Sequence, residues 1–539
     1  MSAGTAGRFS SSCRSRSRTD RRVADTGSLR LCGSSAKHVR CSFAWHSIHI
    51  VVQLSMYVVE RLPRPGVSMA EDLIWKTAAE LAELYRSREV SPVEVVDAVL
   101  DRMDRVQPVL NIMVTGTAEQ ARAEAAAAEK RFQIGDQLPP LYGVPITVKD
   151  LVDTSGVRTT YGCVAFADHV PDEDAVGWAR LREQGVILLG KTTTPEFGLL
   201  GVTESKLTGS TSTPWRPGYN SGGSSGGAAA AVVAGVGPIA WGSDGGGSIR
   251  VPSSLCGAVG IKPSIGRIPT ADATDGDETE GPIARTVVDA AMVLEATSGH
   301  HPGDRFSVPR DTRSYVEAAT LPGDLTGVRI AACYDLGQGV LDSEVRRLFA
   351  AALDDMRAAG ASVVEVGIDL PDTEIFFDHV NGHAYQAFVE EMAEWGIEIW
   401  PAVAEMAKRA DPVTGRQVSE AFRSGKTAIY HAFRDAMAGA DLMVTPTTAV
   451  PAFPHGGDRG PAGVVEGVEI PGLGHFAHAM TEPPAHAGLP AISVPGGFTT
   501  DGLPIGLQFI GPLWADADVI SAAARYQRAT GWHLSHPAL

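Results

Sequence analysis

Gly222-Gly223-Ser224-Ser225-Gly226-Gly227 runs straight into an apolar segment, Ala228 to Val236. A Gly-Ser run surrounded by solvent is a flexible linker. This one opens a segment that reads as a buried helix, so the run is expected to be a loop that holds a shape. Consecutive glycines permit positive φ and let main-chain N–H groups converge on one point, such as a phosphate or the oxyanion of a carbonyl under attack.

A second loop of the same kind follows, Asp244-Gly245-Gly246-Gly247-Ser248-Ile249-Arg250, whose serine lies 24 residues after Ser224. Lys149 precedes Ser224 by 75 residues, in Leu141-Tyr142-Gly143-Val144-Pro145-Ile146-Thr147-Val148-Lys149-Asp150. A lysine behind the apolar pair Ile146 and Val148 is expected to be partly buried. Burial disfavours the ammonium form and turns lysine towards a base.

These three stretches, in this order and spacing, closely resemble the amidase signature family of serine hydrolases. The likeness continues through Val251-Pro252, Cys256-Gly257 and Gly260-Ile261-Lys262-Pro263. It reaches the C-terminal part in Thr445-Pro446-Thr447, in Gly488-Leu489-Pro490-Ala491-Ile492-Ser493-Val494-Pro495 and in Gly502-Leu503-Pro504-Ile505-Gly506-Leu507-Gln508. It spans Met69 to the end. The resemblance implies an α/β fold, a twisted mixed sheet sandwiched between helices. It implies Ser248 as nucleophile, Ser224 as a bridging serine after a cis peptide bond, and Lys149 as terminal base. The oxyanion hole would come from the N–H groups of Gly245, Gly246, Gly247 and Ser248. Asp244 and Arg250 read as a structural pair pinning that loop, with Ser225 in support. Many relatives carry a larger residue where this chain has Gly245.

The chemistry needs these residue types. A serine hydroxyl is a poor nucleophile until it loses its proton. A lysine at its ordinary pKa of about 10.4 is almost wholly protonated at neutral pH and cannot take that proton. Burial must bring it towards the working range. The implied reaction is hydrolysis of a small carboxamide to carboxylate plus ammonia or amine, through an acyl-enzyme, with no metal or organic cofactor. The partners expected are a small amide and neither nucleic acid nor membrane, with a homodimer left open. The same motifs fit the amidase component of a glutamyl-tRNA amidotransferase, and a binding protein that keeps the fold without catalysis is a third reading.

Two other patterns mislead. Gly185-Val186-Ile187-Leu188-Leu189-Gly190-Lys191-Thr192 matches the letters of a nucleotide-binding loop, yet Val186–Leu189 reads as the strand itself rather than an open cradle. Gly222-x-Ser224-x-Gly226 matches a nucleophile elbow, which requires a hydrophobic strand immediately upstream. Thr211 to Asn220, with two prolines, offers none.

The 539 residues carry a net charge of −17 and 44% apolar content, ample for a large core. Residues 1–68 hold eleven Lys/Arg against three Asp/Glu, a surplus of eight positive charges that leaves −25 for the rest. So acidic a body does not suggest nucleic-acid binding through a basic face. The Arg/Ser-rich first 68 residues read as a leader or as an over-extended start, with the true start at Met69 and one amidase domain over 69–539. Phe43–Val59 is too short and polar to span a membrane. Cys163, Cys256 and Cys333 are scattered, which favours reduced thiols and the cytoplasm. The histidine pairs His46/His49, His379/His383 and His475/His478 lack a third ligand at metal-site spacing.

Ser91-Pro92-Val93-Glu94 combines an N-cap, an N1 proline and a capping-box glutamate. Ala118–Lys130 reads as a helix, Val144–Val148 and Val186–Leu189 as buried strands, and Trp178–Gln184 as the end of a helix. Val328–Cys333 reads as a strand and Ser343–Ala359 as an amphipathic helix. This alternation indicates α/β architecture. Glu374–Arg434 is mostly helical and carries Phe376, Phe377, Tyr385, Phe388, Trp395, Trp400 and Tyr430 as core or entrance-lining residues. Val450–Gly474 reads as a long loop.

Overall fold

The computed structural model describes residues 69–539 apart from 271–277, 338, 372–378, 380–381, 409–411, 457–462, 466–467 and 471–478. The expected leader over 1–68, with His46 and His49, lies outside the described residues, as do Phe376, Phe377, His475 and His478.

Among the described residues, eleven strands form one sheet. In chain order they are β1 (Met113–Gly116), β2 (Pro145–Lys149), β3 (Ile187–Thr192), β4 (Ile239–Asp244), β5 (Val259–Lys262) and β6 (Thr279–Ala284). Then come β7 (Arg329–Ala332), β8 (Ser362–Glu365), β9 (Leu442–Pro446), β10 (Ala491–Phe498) and β11 (Pro504–Ile510). Their spatial order is β1-β3-β2-β4-β6-β5-β10-β11-β9-β7-β8. The sheet is mixed: β3-β2-β4 and β9-β7-β8 run parallel, and the central pairings are antiparallel. The fold class is therefore α/β with a mixed sheet, as the resemblance implies.

Every residue of β2 and β3 is buried, which is why both read as short apolar runs rather than alternating ones. Side chains still alternate between the two faces. Ile146, Val148 and Leu188 join the core on one face, while Ile187 and Leu189 join the core on the other. By the same alternation, Thr147 and Lys149 project towards the second face. That face is covered by α1 (Pro92–Leu110), α2 (Ala118–Ile134) and, after α3 (Val176–Glu183) on the first face, by α4 (Gly226–Val233).

The N-terminus of α1 follows its local sequence closely. Ser91 N–H donates to Glu94 Oε2 at 2.8 Å, and Val93 N–H donates to Ser91 Oγ at 3.0 Å. The stretch that spells a nucleotide-binding loop is β3. Its Lys191 is fully buried, with Nζ donating to Thr154 Oγ1 (2.8 Å), Thr159 Oγ1 (2.9 Å) and the Val152 carbonyl. Burial lowers the Lys191 pKa to about 8, against the pull of Asp150. Lys191 thus ties the segment after β2 to the sheet. One feature differs from expectation. The segment 450–474 contains a two-stranded hairpin, Gly463–Val465 with Val468–Ile470. As expected, the described part of 374–434 is mostly helical, divided among several helices with a π-helical turn at Ala421–Gly425.

Candidate active site

Lys149 is the last residue of β2 and is wholly buried. Its Nζ donates to Ser224 Oγ at 2.7 Å, to Ser243 Oγ at 3.0 Å and, more weakly, to the Ser243 carbonyl at 3.4 Å. Burial lowers its pKa to about 7, although Glu278, Asp244 and Glu280 all favour the charged form. An amine in that range takes and returns protons near neutral pH.

Ser224 sits in the turn that launches α4, and the Gly223–Ser224 peptide is cis. The turn is packed too tightly for a side chain at Gly223. A Cβ there would lie 2.6 Å from the Leu200 carbonyl oxygen and 2.7 Å from Val202 N. Thr194 Oγ1 donates to the Ser224 carbonyl at 2.9 Å, which fixes the turn from β3's side. Ser225 bridges the two glycine loops: its N–H donates to the Ser248 carbonyl at 3.0 Å and its Oγ to the Ser243 carbonyl at 3.3 Å.

Gly245, Gly246, Gly247 and Ser248 connect β4 to α5 (Arg250–Cys256). Gly247 has φ +139°, and a Cβ there would run into Thr481 Oγ1. Thr481 Oγ1 itself donates to the Gly246 carbonyl at 2.7 Å. Gly245 faces open space and has no such constraint. Ser248 is 7% exposed. Its hydroxyl is not hydrogen-bonded to Ser224 in this structure, and the backbone bond through Ser225 is what joins the two loops.

The loop is closed by Asp244 and Arg250, both fully buried. Arg250 Nε and Nη2 donate to Asp244 Oδ2 and Oδ1 at 2.9 and 2.8 Å, a two-pronged pair. Asp244 Oδ2 also accepts the N–H groups of Ile249 (3.2 Å) and Arg250 (3.3 Å). Burial works against the Asp244 carboxylate, but Arg250 and these N–H donors bring its pKa down to about 2. Arg250 Nη1 reaches Gln508 Oε1 on β11 at 2.6 Å, anchoring the loop to the far side of the sheet.

The structure thus gathers Lys149, Ser224, Ser225, Asp244 and Arg250 around one loop pair and adds residues that sequence reasoning passes over. Ser243 is the penultimate residue of β4, five residues before Ser248, a position that by itself carries no catalytic signal. Thr481 and Glu482 come from a distant segment and carry no local signal.

Residues 94–520 match the Amidase family model. This chain belongs to the amidase family. This amidase is a hydrolase acting on amide carbon–nitrogen bonds. It is 36% identical over 486 residues to an acylamidase of Rhodococcus erythropolis, covering 87% of this chain and 98% of that protein. It is equally 36% identical to the A component of the glutamyl-tRNA(Gln) amidotransferase of Thermosynechococcus vestitus, covering 85% of this amidase and 99% of that relative. Among solved structures, a bacterial aryl acylamidase of the amidase signature family superimposes with TM-score 0.77 at 30% identity, covering 85% of this chain and 98% of that one. The 6-aminohexanoate cyclic dimer hydrolase complexed with substrate gives 0.75 at 32% identity, covering 86% and 99%. No helix among the described residues is long and apolar enough to cross a membrane.

Proposed function

We propose that this amidase hydrolyses a small-molecule carboxamide through Ser248, Ser224 and Lys149. Ser248 Oγ attacks the carbonyl carbon as its proton passes to Ser224, whose own proton goes to neutral Lys149. The oxyanion is held by N–H groups of Gly245, Gly246, Gly247 and Ser248. Losing one such donor typically costs about 3–4 kcal/mol of barrier stabilisation. The proton returns through Ser224 to the departing nitrogen, which leaves as ammonia or amine. Water then attacks the acyl-enzyme by the same route and releases the carboxylate.

The observation that carries this reading is the 2.7 Å bond between Lys149 Nζ and Ser224 Oγ, with Lys149 buried and near neutrality. The handover from Ser248 to Ser224 is assigned to the substrate complex, where catalytic hydrogen bonds tighten relative to the free enzyme. A panel of amides monitored for ammonia or amine release, run beside Ser248→Ala, tests it. Turnover in the parent and none in the variant supports the reading, and equal turnover in both contradicts it.

A second reading comes from the likeness to the A component of glutamyl-tRNA(Gln) amidotransferase. There the same machinery would release ammonia from glutamine for a partner protein. Hydrolysis of simple amides by the purified chain favours the stand-alone enzyme. Glutamine dependence with a co-purifying partner favours the amidotransferase.

A further inference from the structure

The helix His383–Glu394 presents one stripe to the protein. Tyr385, Phe388 and Val389 are partly buried and Met392 is buried, whereas His383, Ala384, Ala387 and Glu390 are exposed. Two residues of that stripe lead to the two catalytic loops. Phe388 meets Phe197 edge to face, with ring centroids 4.6 Å apart. Phe197 is joined to Gly198, where a Cβ would sit 3.2 Å from Ser224 Oγ. One turn before Phe388, Tyr385 faces Glu482, whose charge adds to burial in raising the phenol pKa. Glu482 in turn lies against the glycine loop, its Oε1 3.4 Å from where a Cβ on Gly246 would be. One face of one helix therefore spans from the Ser224 turn to the loop that carries Ser248.

The side that Phe388 closes is apolar. Phe197 also neighbours Phe166 and Tyr161, at centroid distances of 5.8 and 6.3 Å. Leu200 and Val202, which pack against the Gly223 turn, share a cluster with Phe388 and Met392. The reacting groups behind these rings are shut in: Lys149 is fully buried, and Ser224 and Ser248 are 2% and 7% exposed. Closely packed rings do not make room for added methylenes without displacement. An apolar group extending from Ser248 past Ser224 therefore runs into Phe197 and Phe388.

We propose that Phe388 is a specificity-determining residue whose ring sets how long an apolar group the amide can carry on the Ser224 side. The preferred substrate is thus a short-chain carboxamide, and removing the ring admits a longer one. The inference rests on the Ser248–Ser224–Lys149 reading of the same site. Truncating a packed aromatic ring leaves an apolar space, and such a space discriminates by methylene count, about tenfold or more for each.

The test uses the full chain with unbranched alkanamides from acetamide to octanamide, each kcat/KM being read as its ratio to acetamide in the same protein. The parent is expected to show a chain length beyond which the ratio falls. Phe388→Ala is expected to raise the ratio for the first amide past that cut-off by about tenfold or more, mainly through a lower KM. Phe388→Trp is expected to move the cut-off to a shorter chain. A ring that only supports the fold would lower all the amides together and leave the ratios intact in both variants, which overturns the proposal. A parent with no cut-off up to octanamide also overturns it, while leaving the amidase reading in place. Hydrolysis of no amide of the series by a parent of intact fold overturns both.

Discussion

Lys149 Nζ and Ser224 Oγ lie 2.7 Å apart in a fully buried setting, joined across 75 residues of chain by the end of β2 and the turn before α4. The alternation of β2 aims Lys149 at this point: Ile146 and Val148 bury on the opposite face, and the glycines before Ser224 let the turn come close. The pair is a product of strand period and backbone sterics as much as of chemistry.

The pH dependence follows from Lys149. In the proposed mechanism its neutral form is the base, so kcat/KM should rise through about 7 and level off above it. Below that point the rate should fall about tenfold per pH unit, as for a single essential base. The stability consequence has a definite sign. A lysine lowered from 10.5 to about 7 lets the unfolded chain bind the extra proton between those values, so its destabilisation is full below about 7 and relieved as pH rises towards 10.5. Lys149→Met should therefore gain more stability relative to the parent at pH 6 than at pH 9, measured by urea unfolding.

Removing one partner of the Asp244–Arg250 pair leaves a buried charge uncompensated. Arg250→Ala should cost about 3–5 kcal/mol in denaturant unfolding. The Asp244 contribution is fully present above the ordinary carboxylate value of 3.8 and is lost only as pH falls through about 2. A stability loss for Arg250→Ala no larger than that of a surface substitution would contradict the role given to the pair.

The two ends of the glycine loop should respond differently to one methyl group. Gly247→Ala meets Thr481 Oγ1 at φ +139° and should lose about 1–3 kcal/mol of folding stability. Gly245→Ala enters open space and should stay within about 0.5 kcal/mol of the parent. Thermal unfolding of the two variants side by side measures the contrast.

Lys191→Met would strip donors from Thr154, Thr159 and the Val152 carbonyl. Leaving such buried groups unsatisfied costs about 1–3 kcal/mol. Unfolding free energy should drop accordingly, with faster hydrogen exchange in the segment 150–160.

Much of this is legible in the sequence because the signals are local. Ser91, Pro92 and Glu94 specify a helix start within four residues, and β2 and β3 declare themselves as short apolar runs between glycines and prolines. The burial of Lys149 follows from Ile146 and Val148. Ser243 is not legible, because a serine at a strand end looks like any polar terminus until the sheet brings it 3.0 Å from Lys149. Thr481 and Glu482 depend on a packing of distant segments that no spacing rule encodes. The hairpin over 463–470 escapes because three-residue strands among prolines and glycines carry too little alternation to register.

The relay from Ser248 through Ser224 to Lys149 is tested most directly by trapping the acyl-enzyme. The protein is incubated with a slowly turned-over amide, quenched in acid and digested, and the adduct is located by peptide mass spectrometry. The parent should carry the acyl group on Ser248, and Lys149→Met should carry none under the same conditions. An adduct on any other residue, or an undiminished one in Lys149→Met, would contradict the account.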